Sequence, residues 1–285
     1  MPTSNLTSIA EYAARSAVVY PGVAEIGLAS QALQYLISLP SGRCHFRLDG
    51  PRQGRLVLLI HGATVPGWEF DRLVPYLHAA GMRTLVPDLF GHGFSERPRC
   101  PYDCELFERQ LDELLQALHI EQELDVIGHS MGAVLAARLA RKRSQQFGRL
   151  VLTAPLLDFH EVDRWARLLA VPMVGELLMP TLVKPLLMRR RRRRYQPIED
   201  GRWVELFRQH LAAPGFGAML LSMLRCGTLG DQSAVYRELA RFPGELMLLR
   251  GEQDTILPRA QFERLRKLMP QARCVELADT CLLYT

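Results

Sequence analysis

The stretch Leu124-Asp125-Val126-Ile127-Gly128-His129-Ser130-Met131-Gly132-Ala133 decides how this chain reads. An apolar run ends in G-x-S-x-G, and small and apolar residues continue from Ala133 to Leu139. A strand that runs through a serine directly into a helix needs a very sharp turn, with strained backbone angles at the serine. A side chain at Gly128 or Gly132 would collide with neighbouring backbone in such a turn. The turn lifts the hydroxyl clear of the sheet and aims a helix N-terminus at negative charge developing there. The five-residue pattern is common by chance, so its weight comes from the strand before it and the helix after it.

Outward from this turn, the chain shows short unbroken apolar runs at Leu56–Ile60, Thr84–Val86, Leu124–Ile127, Leu150–Thr153, Leu246–Leu249 and Cys274–Leu277. Runs of this kind are buried on both faces, as in a parallel sheet. Helical spacing separates them, for example at Phe107, Leu111, Leu114, Leu115 and Leu118. Alternating strands and helices predict an α/β fold with right-handed crossovers. Nearer the start, Ile9–Val19 reads as a short helix, and Gln34–Leu39 and Arg43–Leu48 alternate around Pro40-Ser41-Gly42 as a hairpin. From Asp158 to about Ser233 the rhythm breaks into proline-punctuated helical segments. The expected architecture is a mostly parallel central sheet flanked by helices, with an inserted helical cap. The core takes residues 1–157 and 234–285. The cap, 158–233, covers the C-terminal edge of the sheet, where open α/β sheets bind ligands.

Composition bounds the rest. Of 285 residues, 48% are apolar, enough for a large core without disulfide help. The net charge of +5 is local: without Arg189–Arg194 the chain holds 29 basic against 30 acidic residues. The six cysteines, Cys44, Cys100, Cys104, Cys226, Cys274 and Cys281, contain no second pair to answer Cys100 and Cys104 at metal-ligand spacing. Free thiols in a reducing compartment are expected, with no metal site. No basic, then apolar, leader pattern opens the chain. The most apolar long stretch, Leu168–Met188, carries Pro172, Glu176, Pro180, Lys184 and Pro185, which a membrane span would not. A cytoplasmic protein is expected.

Four blocks, in order, carry a resemblance: Leu58-Leu59-Ile60-His61-Gly62, Pro87-Asp88-Leu89-Phe90-Gly91-His92-Gly93-Phe94-Ser95, the turn at Ser130, and Arg250-Gly251-Glu252-Gln253-Asp254-Thr255-Ile256-Leu257-Pro258. The chain resembles the α/β-hydrolase fold superfamily, in its esterase, lipase and C–C hydrolase branch. The resemblance implies a nucleophile elbow with Ser130 as nucleophile and Asp254 as the acid that orients a histidine. It also implies an oxyanion hole built from the backbone N–H groups of Met131 and of Ala63 or Thr64. Asp254 also reads as a helix cap or turn residue before Pro258, and Asp158 is the fallback acid. His92 and His129 are assigned structural parts. No metal or organic cofactor is implied, and a serine at the elbow argues against the dehalogenases and epoxide hydrolases, which use aspartate there.

One block departs from the pattern. Relatives carry a Gly-His pair after the last strand, whereas this chain reads Val275-Glu276-Leu277-Ala278-Asp279-Thr280-Cys281-Leu282-Leu283-Tyr284-Thr285. Its eight histidines are His45, His61, His78, His92, His119, His129, His160 and His210, so either Thr280 or Cys281 stands where the base belongs or a Gly-His pair is absent before Cys281. A serine hydroxyl without a base is a poor nucleophile. Impaired catalysis is expected, with no imidazole within hydrogen-bond reach of Ser130. His160 or His210 reaching in from the cap is the less favoured route.

The apolar residues from Leu168 to Met188, with Met219, Leu220, Leu221, Met223 and Leu224, read as cap helices packed on the sheet or, less simply, as an acyl-chain tunnel. Six consecutive arginines repel one another and are expected to be exposed. Their partner is water alone, an anionic membrane surface or an acidic acyl carrier. Nucleic acid is not expected, since no recognition motif accompanies them. The functional expectation is a serine hydrolase of a carboxylic ester or thioester with an apolar acyl part. A non-catalytic binding protein on the same scaffold and a cofactor-free C–C bond hydrolase stand as alternatives.

Overall fold

The computed structural model describes residues 34–163, 165–195, 201–254 and 257–279, with side chains of 193–195 left aside. The helix expected at Ile9–Val19, and Thr280 and Cys281, lie outside the described residues. Strands Gln34–Leu39 (β1) and Gly42–Asp49 (β2) form the expected antiparallel hairpin, with Leu39 opposite Gly42. The six apolar runs become Leu56–Ile60 (β3), Arg83–Pro87 (β4), Leu124–His129 (β5), Phe147–Thr153 (β6), Glu245–Gly251 (β7) and Arg273–Leu277 (β8). All eight strands form one sheet in the order β1-β2-β4-β3-β5-β6-β7-β8. β2 joins β4 antiparallel, and every later pairing is parallel. All five residues of β3 are buried, as a strand covered on both faces requires.

Helices Val74–Ala79 (α1), Cys104–Ala117 (α2) and Met131–Lys142 (α3) supply the early crossovers. The Asp103 carboxylate caps α2 by accepting from Leu106 N at 2.8 Å. α2 buries Leu106, Phe107, Leu111, Leu114 and Leu115 on one stripe, and α3 buries nine of its residues against the central strands β5 and β6. The chain order reverses between β3 and β5: from β3 it steps outward to β4, from β5 it steps the other way to β6. Crevices form at the carboxyl ends of strands at such a reversal. Residues 61–63 and Ser130 begin on its two sides.

Between β6 and β7 the described residues form helices and no strand: Phe159–Val162 (α4), Trp165–Leu169 (α5), Val174–Leu178 (α6), a π-helical turn at Met179–Val183, Lys184–Tyr195 (α7), Arg202–Ala212 (α8), Phe216–Arg225 (α9) and Ser233–Glu238 (α10). A last helix, Arg259–Leu268 (α11), returns the chain to β8. Packing in the insertion is one-sided. α9 buries Phe216, Met219, Leu220, Leu221, Met223 and Leu224, while Ala166, Gly175 and Met179 face inward from α5, α6 and the π turn. A Cβ on Gly175 would press on Leu221, and one on Gly217 would meet Met179 Cγ at 2.6 Å. Leu168, Val171, Met173, Leu177, Leu182 and Leu186, expected as packed helix, are exposed instead. The arginine run is corrected in the opposite sense: Arg191 is buried. Among the described residues no helix is long and apolar enough to cross a membrane.

Candidate functional site

Ser130 is the residue between β5 and α3, with φ 53° and ψ −115°. This is a conformation that L-residues avoid unless their surroundings enforce it. Here neighbours on both sides do so. Ser130 N donates to Thr153 O at 2.9 Å, while Ser130 O accepts from Ala133 N at 3.0 Å and Leu156 N at 3.2 Å. The flanking glycines are compulsory for a separate reason. A Cβ on Gly128 would enter the Gly132 carbonyl, and one on Gly132 would enter the carbonyls of Ile60 and His61. The β5–α3 turn is therefore pressed against the end of β3, and the serine stays half-buried. At the start of α3 the first N–H groups, Met131 included, have no intrahelical acceptor.

The chain leaving β3 passes next to this serine. A Cβ on Gly62 would lie 3.4 Å from Ser130 Cβ. The orientation of the following peptides is set by two buried imidazoles. Leu89 N donates to His61 Nε2 at 2.9 Å, so the His61 proton sits on Nδ1 and is donated to Gly62 O at 2.8 Å. Because the peptide is planar and trans, fixing the Gly62 carbonyl turns the Ala63 N–H to the opposite side. His92 then takes the next carbonyl, with Nε2 2.9 Å from Ala63 O and Nδ1 3.1 Å from Phe90 O. Burial pushes the His61 imidazole down to about 4 and that of His92 down to about 3, so both rings are neutral at ordinary pH. A neutral ring has one proton for two carbonyls, and the shorter contact of His92 is with Ala63.

Asp88 anchors the remaining loop, a part the sequence did not announce. It is buried, pairs with His45 Nδ1 at 2.8 Å, and accepts from Gly67 N at 2.8 Å and Phe94 N at 3.1 Å. Burial alone would raise this carboxyl. His45, then His61 and the Gly67 N–H, outweigh burial and hold it well below the usual carboxylate range. Gly93, with φ +47°, lies against the carboxylate, and any Cβ there would overlap it. Glu69 is the second such residue: its Oε2 accepts from Gly62 N at 3.0 Å and its Oε1 lies 3.7 Å from His129 Nε2. His129 Nδ1 meets Thr153 Oγ1 at 3.1 Å, and that hydroxyl donates to Gly128 O at 3.2 Å. His129 thus ties β5 to β6 beneath the serine. The glycines at 62 and 93 are the sequence trace of these contacts.

Asp254 follows β7, the strand beside β6, and is buried; Oδ1 accepts from Leu257 N at 3.1 Å. Asp158, the fallback acid, caps α4 by accepting from His160 N at 2.9 Å. Among the described residues no imidazole is hydrogen-bonded to the Ser130 hydroxyl. His210, on α8, stacks on His92 with ring centroids 5.8 Å apart and meets Phe216 edge-on at 5.1 Å. Burial drives its ionisation well below the ordinary histidine range. No group of three or more His, Cys, Asp or Glu side chains among the described residues is arranged to hold a metal ion.

The insertion touches the β3 loop directly. The Arg191 guanidinium donates to Thr64 Oγ1 at 3.2 Å and lies 5.0 Å from the Phe207 ring centre, over its face. Trp203 of α8 packs on Trp68 with ring centres 5.5 Å apart. Met219 of α9 rests over Gly91, where a Cβ would collide with its sulfur.

Comparison with known proteins agrees with this arrangement. The profile described as "Alpha/beta hydrolase family" matches residues 57–280. An uncharacterized protein of Mycobacterium tuberculosis is 32% identical over 143 residues, 50% of this chain and 40% of that protein. The match thus spans about two-fifths of that curated relative's length. A haloalkane dehalogenase of Mycobacterium marinum is 24% identical over 236 residues, covering 78% of this chain and 76% of the dehalogenase. The solved enol-lactonase of Burkholderia xenovorans superposes with a TM-score of 0.69 at 20% identity, over 87% of this chain and 92% of that one, which is a likeness of fold. With eight strands in the order given, a strained serine after β5 and a profile match across most of its length, the chain belongs to the alpha/beta hydrolase family.

Proposed function

We propose that the chain is a serine hydrolase of carboxylic esters or thioesters with an apolar acyl part, and that its turnover is slow. The observation that carries this reading is the Ser130 turn, at φ 53°, beside a Gly62–Ala63 peptide held by His61. In the proposed step the Ser130 oxygen attacks the acyl carbon, and the carbonyl oxygen gains negative charge. The Met131 and Ala63 N–H groups receive that charge, which fixed backbone donors do well because nothing reorganises as it develops. The proton lost by the Ser130 hydroxyl passes through water to the departing alcohol or thiol as its bond to the acyl carbon breaks. A second water then adds to the acyl carbon, so that the carboxylic acid departs and the serine regains its hydrogen. Asp254 is proposed as the orienting acid, and the helices over the site, with Met219 and Leu220 among them, as the cap and acyl-contact surface. The dehalogenase relative does not extend its reaction here, because the elbow residue of this chain is serine.

The slow turnover follows from the base. No imidazole is hydrogen-bonded to Ser130 among the described residues, and the resemblance would put the base near Thr280 or Cys281, where the sequence has no histidine. Loss of a triad histidine costs about 10⁶-fold in turnover and leaves about 10³–10⁴ over water. A fluorophosphonate probe tests the nucleophile: slow labelling that vanishes in Ser130→Ala is expected, and labelling unaffected by that change ends the proposal. The same absence favours a second reading, a binding protein on this scaffold. Saturable binding of an ester with neither labelling nor release of its alcohol would select it.

A further inference from the structure

We propose that the outer face of the helical insertion docks on an anionic lipid bilayer, with its apolar side chains entering the headgroup–acyl boundary and Arg189 and Arg192 seated on lipid headgroups. Seven apolar residues from consecutive short elements turn outward: Trp165, Leu168, Val171, Met173, Leu177, Leu182 and Leu186. Met173 is 83% exposed, Leu177 70% and Trp165 68%, far from the scattered single exposures of an ordinary surface. They share one side, because the same elements turn Ala166, Gly175 and Met179 inward against α9. Met173, in the left-handed region at φ 68°, marks the tip between α5 and α6.

The face continues into positive charge. Leu186 and Arg189 are three apart on α7, so the apolar strip runs directly onto an arginine, while Arg191 faces the interior. Arg189, Arg192 and Arg208 line a notch of about 560 Å³ whose other walls are Pro185, Met188 and Val204. Arg208 is paired with Glu205, whereas Arg189 and Arg192 form no ion pair with a described residue. Exposed aromatic and aliphatic side chains beside exposed guanidinium groups match the chemistry of an anionic membrane surface. A second copy of the chain fits less well, since a two-fold contact would bring two arginine runs to one interface.

The test uses the full chain with phosphatidylcholine vesicles, with or without about 30% phosphatidylglycerol, at low and high salt. Binding is expected to anionic vesicles at low salt, with a blue shift of tryptophan emission that Trp165→Phe removes. Arg189→Gln with Arg192→Gln should weaken binding about 30-fold, at roughly fivefold per arginine. Met173→Ser with Leu177→Ser should weaken it at least as much, because buried apolar area drives insertion. Three results would overturn the proposal. One is binding insensitive to the apolar pair, which is adsorption by charge alone. Another is equal binding to neutral vesicles. The third is a dimer in sedimentation velocity that dissociates in Met173→Ser with Leu177→Ser while vesicles stay unbound.

Discussion

Lowering the pH from about 6 to about 5 should remove several kcal/mol of stability, because unfolding exposes three imidazoles that the fold holds neutral. His61 and His92 are in contact at 4.8 Å between ring centroids, and His92 and His210 at 5.8 Å. Burial lowers all three, to about 4 for His61, to about 3 for His92 and well below the usual range for His210. An unfolded histidine titrates near 6.5, so below that pH the unfolded chain binds protons that the folded chain refuses. Stability therefore falls as pH drops through 6.5, and His61 stops contributing to the fall near 4. Between pH 6 and 5 an unfolded histidine is on average about nine-tenths protonated, which is worth about 1.2 kcal/mol per group and about 3.5 kcal/mol for three. Asp88 does not confuse this window. Its carboxyl is depressed in the fold, so its stabilisation is complete above the ordinary aspartate value and is lost only lower down. Urea unfolding at both pH values, followed by tryptophan emission, gives the difference directly, and His92→Gln should remove about a third of it. Equal unfolding free energies at the two pH values would refute the packing of neutral rings.

The other expectations concern single contacts. Gly132→Ala drives a Cβ into the carbonyls of Ile60 and His61, and Gly93→Ala into the Asp88 carboxylate; each should cost about 3 kcal/mol or more in thermal melts, against about 1 kcal/mol for Gly81→Ala, where a Cβ meets open space and only the positive φ of 78° opposes it. His61→Phe keeps the ring but removes the donor to Gly62 O, so fluorophosphonate labelling of Ser130 should slow about tenfold or more in a folded protein, as the Ala63 N–H loses its orientation. Arg191→Met should destabilise by about 1–3 kcal/mol through the loss of Thr64 and Phe207, whereas Arg192→Met should leave melting unchanged.

What the sequence made legible was local. The Ser130 turn, the six apolar strands and the β1–β2 hairpin each announce themselves within ten residues, through periodicity or through glycines with no room for a side chain. The attachment of β2 to β4 left no such trace, because pairing between Phe46 and Pro87 is a property of two distant segments. The same holds for the loops around the serine. Asp88 sits seven residues before Ser95 inside one of the four blocks, with no role assigned to it; its hold on His45 and Gly67 appears once β2 and the β3 loop are brought beside it. Glu69 and Thr153 were passed over for the same reason, since their partners Gly62 and His129 are set by strand order.

The insertion shows the harder limit. Its residues from Leu168 to Met188 are apolar almost all round, so no periodicity distinguishes the side that packs on α9 from the side that faces outward. Burial there is decided by α9, whose Leu221 meets Gly175 of α6 and whose Gly217 meets Met179 of the π turn. The arginine run fails in the complementary way. Repulsion predicts six exposed side chains, but a helix advances about 100° per residue, and six consecutive positions pass every direction around its axis. A helix lying on a core must then turn some member of the run inward, and electrostatics alone cannot say which. The partners decide it: Thr64 offers an oxygen and Phe207 a ring face, so Arg191 is taken in while Arg189 and Arg192 remain outside. A charge run on a packed helix is therefore two features at once, an inward residue that ties the insertion to the β3 loop and outward residues, Arg189 and Arg192, that present charge to the surface.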